Sequence, residues 1–108
     1  MAYDEDLAAR ARDAVAELST FTEQRMFGGL AFMVNTHMAI GIENDQLLVH
    51  VGKEGREAAL ADGARETHVR RGMVAAPPET VTNDEALHAW VRRGVELALA
   101  APPKAAKR

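Results

Sequence analysis

The apolar positions of this chain repeat with two different periods, and the change of period marks its elements. From Asp4 to Ser19, Leu7, Ala11, Ala14 or Val15, and Leu18 recur at helical spacing, with Arg10, Arg12, Asp13 and Glu17 mostly elsewhere on the wheel. That pattern predicts an amphipathic helix. Its acidic start, Asp4, Glu5 and Asp6, suits the positive end of the helix dipole. After a connection containing Ser and Thr come three short runs with the period of two that strands require: Gly29 to Asn35, His37 to Glu43, and Gln46 to Gly52. Leu30, Phe32 and Val34 alternate with Ala31 and Met33. Met38, Ile40 and Ile42 alternate with Ala39 and Gly41, and Leu47, Val49 and Val51 with Leu48 and His50. Asn35-Thr36 and Asn44-Asp45 separate the runs, and Asn and Asp tolerate the positive φ angles that tight hairpins need. A three-stranded antiparallel meander is the simplest product.

Lys53 to Asp62 is predicted helical, with Gly63 placed to stop it. Glu66 to Arg70 and Met73 to Ala76 read as two short strands turning at Arg71-Gly72, and Pro77-Pro78 closes the second, because proline lacks the donor that a ladder uses. Thr82 with Glu85 three residues later forms a capping box. Leu87, Trp90, Val91, Val95 and Ala98 follow at helical spacing, so a last helix should run to about Ala100 and dock Trp90 into the core. The predicted order is α-β-β-β-α-β-β-α: an α+β fold of two layers, helices on one face of an antiparallel sheet. One domain over residues 1–101 and a mobile basic tail over 102–108 are expected.

Composition narrows the function classes. With 47% hydrophobic and 27% charged residues in 108, enough apolar surface exists to offset chain entropy, so a folded domain is expected rather than disorder. The absence of cysteine excludes disulfides, thiolate zinc sites and cysteine nucleophiles. The acidic N-terminus does not read as a secretory signal, and no apolar run approaches the roughly 18 to 20 residues of a membrane span. A cytoplasmic location without membrane contact is the expectation. A net charge of -3 does not describe a surface that attracts phosphate backbone all round.

Candidate chemistry is sparse. Gly28-Gly29 invites a phosphate-cradle reading, yet the pair precedes a strand and has no Walker lysine or dinucleotide spacing around it. Its competing role is a tight entry into the strand, with Met26 and Phe27 packing below. Arg25, just before it, is a candidate anion contact or an exposed arginine. His37, His50, His68 and His88 stand in different predicted elements without metal-ligand spacing. His50 with Glu43 would make a general base only beside a nucleophile. Ser19 is the only serine and lies in no nucleophile elbow. No cofactor or catalytic constellation is expected, and the chain reads as non-enzymatic. Two binding features stand out. Arg70 and Arg71 in the turn, Arg92 and Arg93 on the last helix, and the basic tail would form a nucleic-acid-binding patch if folding gathers them. Met26, Met33, Met38 and Met73, with Phe27 and Phe32, suit either the core or an adaptable surface for a protein partner or a homodimer.

The segments RMFGGLAF at residues 25–32, HMAIG at 37–41 and LLVHVG at 47–52 resemble the signature of the TfoX/Sxy family's N-terminal domain. Asp84-Glu85, Leu87, Trp90-Val91 and Pro102-Pro103-Lys104 are similar to the final helix of its short, stand-alone members. The hairpin position that the family usually fills with glycine is Thr36 here. The resemblance implies a fold akin to secretion-chaperone-like domains, action through protein association, and a part in transcriptional regulation. The longer namesakes are competence regulators that work with the cyclic-AMP receptor protein and carry a second domain.

Overall fold

A computed structural model describes residues 3–26, 28–68 and 71–102. Along them run α1 (Glu5–Leu18), β1 (Thr22–Met26), β2 (Gly29–Val34), β3 (His37–Glu43), β4 (Gln46–His50), α2 (Gly52–Ala61), β5 (Arg65–Glu66), β6 (Met73–Ala76) and α3 (Asp84–Ala100). One 3-10 turn at Pro78–Thr80 follows β6. The strands form a single antiparallel sheet in the spatial order β1-β2-β3-β4-β6-β5. The α+β class and the predicted order stand, with β1 added in front of the meander. Its sequence, TEQRM, leaves four of five residues exposed, so no apolar alternation distinguished it from a connection.

Buried side chains of all three helices join one cluster with one face of the sheet. Leu7, Ala11 and Val15 of α1, Ala59 of α2, and Leu87, Trp90, Val91 and Val95 of α3 meet Leu30, Phe32, Ile40, Ile42, Leu47, Val49 and Val74. Trp90 is docked as predicted, at 6% exposure. The opposite face carries a second, smaller cluster of Ala31, Met38, Leu48, Met73 and Ala75, against which Met26 and Met33 are half-buried.

A bulge explains how β3 serves both clusters. Phe32 pairs with Ile40 but Met33 pairs with Met38, so one step on β2 matches two on β3 and Ala39 is the extra residue. Ala39 and Ile40 therefore both lie in the main core, and Met38 turns to the other face. The strict alternation predicted for this strand, Met38 with Ile40 and Ile42, is corrected accordingly, since a bulge resets the period of two. Directly above, an ideal Cβ on Gly94 would lie 2.2 Å from the Ala39 carbonyl oxygen. The bulge and the glycine of α3 thus allow helix and sheet to approach closely.

The ends of the helices are held by side chains. Asp4 accepts from the Leu7 amide at 3.0 Å and caps α1. Asn83, not the predicted Thr82, caps α3 by accepting from the Ala86 amide at 2.7 Å; asparagine is at least as good a cap as threonine. At the far end of α3, Asn35 Nδ2 donates to the carbonyls of Ala98 at 3.0 Å and Ala101 at 2.8 Å. His37 Nε2 donates to the Pro102 carbonyl at 2.7 Å. The β2-β3 turn that supplies these groups has φ +53° at Asn35 and +69° at Thr36, the twist of a two-residue hairpin loop. A threonine in this left-handed region costs roughly 1–2 kcal/mol, which is why glycine suits that position.

The predicted strand from Glu66 to Arg70 is corrected to Arg65–Glu66, opposite Ala75 and Val74. Thr67 and His68 have left the ladder, and residues 69 and 70 lie outside those described. Gly72, at φ +85°, turns the chain into β6, and its carbonyl accepts from the amides of Val51 and Gly52, each at 3.0 Å.

Candidate functional site

The best-defined candidate surface is the β1 end of the sheet. β1 pairs only with β2, from Thr22 opposite Met33 to Met26 opposite Gly29. Its outer backbone edge makes no backbone hydrogen bond to another described residue. Glu23 and Arg25 stand across from Phe32 and Leu30, which places them on the helix side, whereas Thr22, Gln24 and Met26 lie on the methionine side. A shallow depression of about 480 Å³ borders this end, lined by Thr20, Phe21, Thr22, Gln24, Met33, Asn35 and Thr36. Phe21, in its lining, has its ring centroid 5.8 Å from that of buried Phe32.

Arg12 of α1 holds β1 from above. Its Nε and Nη2 donate to the two carboxylate oxygens of Glu23, the second at 3.0 Å, in the forked geometry that suits guanidinium and carboxylate. This hydrogen bonding, more than the charge attraction that accompanies it, holds the Glu23 carboxyl below its ordinary range, against a smaller opposing effect of burial. A depressed carboxylate pKa stabilises the fold above the unfolded-state value, and that contribution is lost as pH falls through the folded value. Because Arg12 is 44% exposed, the contribution should not exceed about 1 kcal/mol. Glu23→Gln is therefore expected to be less stable than wild type near neutral pH and equal to it in acid below both pKa values. Urea unfolding at the two pH values checks this; a difference that persists in acid would contradict it.

The sequence-predicted arginines do not behave alike. Arg25 is exposed on β1 and makes no ion pair among the described residues. Arg71 is exposed in the turn before β6, and Arg70 lies outside the described residues. Arg93 is engaged twice, in an ion pair with Asp62 at the end of α2 and in a stack 4.3 Å above the Trp90 ring. Arg92 lines an open depression of about 570 Å³ with Glu17, Asp84, Glu85, His88 and Ala89. Three carboxylates beside one arginine make that hollow a poor host for phosphate. Gly28 adopts φ +77° with open space around it, and Gly29 is buried as the first residue of β2. Phe27 is outside the described residues.

The histidines are dispersed. His37 and His88 are occupied, the latter with Nε2 3.1 Å from Glu17 Oε1, and His68 is exposed. His50 is opposite Met73 at one end of β4, while Glu43 is opposite Gln46 at the other, so the pair is not brought together. The hollow at His88 contains no hydroxyl, thiol or amine nucleophile in its lining. Among the described residues no group of three or more His, Asp or Glu is placed to hold a metal ion, and no helix is long and apolar enough to cross a membrane.

Sequence reasoning missed the edge. The signal that was present is the alternation of neutral polar Thr22 and Gln24 with charged Glu23 and Arg25 before the Gly28-Gly29 turn, which is what one exposed strand of a hairpin looks like.

No curated protein and no solved structure matches the chain. The model of the TfoX N-terminal domain family matches residues 13–98, a span that runs from the middle of α1 to the last turns of α3 and includes every strand. The chain belongs to the TfoX N-terminal domain family.

Proposed function

We propose that this domain is a non-enzymatic association module that binds protein through the β1 end of its sheet, with a part in transcriptional regulation of the kind its longer relatives perform. One observation carries the reading: β1 is the end strand of the sheet, its outer edge makes no backbone hydrogen bond among the described residues, and Met26 and Met33 beside it are half-buried. Free sheet edges are templates for added chain, and methionine adapts its shape to varied partners. Arg93 and Arg92, by contrast, are respectively engaged and set among carboxylates, which weighs against the alternative of a nucleic-acid-binding module built on Arg70, Arg71, Arg92 and Arg93.

The test is affinity capture from native lysate, with and without nuclease, using wild type and a Met26→Lys/Met33→Lys double variant. The expected result is a reproducible protein partner that survives nuclease and is lost from the double variant. Partners that vanish with nuclease and depend on Arg71 or Arg92 would establish the nucleic-acid reading instead, and partners indifferent to the two methionines would sink the β1-end surface.

A further inference from the structure

We infer that β1 pairs with β1 of a second copy of this chain, antiparallel and with Gln24 on the two-fold axis. The inference rests on the β1 end being an association surface and says what occupies its backbone edge. Antiparallel self-pairing about Gln24 sets Glu23 of each copy opposite Arg25 of the other, and Thr22 opposite Met26. Glu23 and Arg25 project to the same side of the sheet, so both cross-strand pairs join opposite charges, the arrangement that stabilises antiparallel neighbours. Centring the axis on Glu23 or on Arg25 would instead oppose like charges. The five-residue strand is therefore complementary to itself in one register, which a two-fold interface requires.

Two further observations agree. Arg25 has no ion pair of its own among the described residues, so it is free to serve a second copy. The face of α1 that reaches β1 through Arg12 carries exposed Ala9 and Ala16 at one turn before and after it, small side chains that leave room for a neighbouring helix.

Directly opposed residues of antiparallel strands have Cα atoms about 4.5–5.5 Å apart, within the span of about 4.4–6.8 Å that a disulfide bridges. The chain has no cysteine, so a single introduced one reports unambiguously. Gln24→Cys should cross-link to a dimer under mild oxidation at least about tenfold faster than Thr22→Cys or Met26→Cys alone, because self-pairs at those positions are offset by about 13 Å along the strand. Mixing Thr22→Cys with Met26→Cys should restore fast cross-linking. By sedimentation across concentration, Arg25→Glu should weaken the dimer about tenfold, and adding Glu23→Arg chains should recover it as a heterodimer. Since Glu23→Arg also confronts Arg12, its folding is checked by circular dichroism; if it fails, the cysteine series and Arg25→Glu still decide.

Equal cross-linking at all three positions, none at Gln24→Cys, or a dimer unaffected by Arg25→Glu would overturn the inference. A monomer at all concentrations whose captured partner is still lost with the Met26→Lys/Met33→Lys variant would sink the second copy alone and leave the association reading intact.

Discussion

Replacing Gly94 with alanine is expected to destabilise the domain by about 2 kcal/mol, opposite in sign to what a helix-propensity argument gives. In an exposed helix interior the same change stabilises by about 1 kcal/mol, because glycine carries the larger backbone entropy. Here the added methyl carbon would lie 2.2 Å from the Ala39 carbonyl oxygen and 3.0 Å from both the Ala39 carbonyl carbon and Ile40 Cγ2. The nearest atom is backbone in a bulged strand and cannot rotate away, so the helix must lift from the sheet. Overpacking of this kind costs about 1–3 kcal/mol and occasionally more. Lifting α3 also loosens Trp90, Val91 and Val95, which fill the same core. For a domain of this size the melting temperature should fall by about 10 °C. Thermal and urea unfolding measure it directly, and an unchanged or raised midpoint would refute the close approach.

The second large effect is expected at Asn35. Asn35→Gly keeps the positive φ of the turn at no steric cost and removes only the amide that serves Ala98 and Ala101. The Ala98 carbonyl in the last turn of α3 and the Ala101 carbonyl just past it then lose their partner, which should cost about 1–3 kcal/mol. Asn35→Asp should cost more. Its carboxylate has no proton to give, and it faces two carbonyl oxygens at the negative end of the helix dipole. The predicted order of stability at neutral pH is wild type, Asn35→Gly, Asn35→Asp. If aspartate matched asparagine in urea midpoint, the clasp between hairpin and helix would be wrong.

Much of this architecture could be read from residue spacing, for physical reasons visible in particular elements. Leu7, Ala11 and Val15 bury one stripe of α1, and Leu87, Trp90, Val91 and Val95 one stripe of α3, so helical periodicity was strong. The core strands β2 and β4 alternate, and β3 does so beyond its bulge, because one face takes the helices. Signal failed where packing, not local pattern, decides. β1 is a strand because β2 is beside it, and its exposed residues carry no burial code. Ala39 looked like a solvent-side alternation partner, yet the bulge that buries it answers to Gly94, more than fifty positions away in sequence. Asn83 outcompeted Thr82 as a cap by one residue, a shift that capping chemistry alone permits in either direction. Whether the arginines gather depends on the fold, which residue spacing alone leaves open. On α3, consecutive positions diverge by about 100°, so Arg92 and Arg93 meet different neighbours.

The two rims of the sheet differ in length, and that difference sets a valence. β1 offers five residues to a neighbour, whereas β5 offers two, and those two are further occupied by the ion pairs of Arg65 with Glu79 and Glu66 with Arg56. A unit with a usable rim on both sides can add copies without limit and grow a fibre. A unit with one usable rim closes after a single pairing. With β1 paired to a second copy as inferred, the shortness of β5 would stop that pairing from propagating into a polymer.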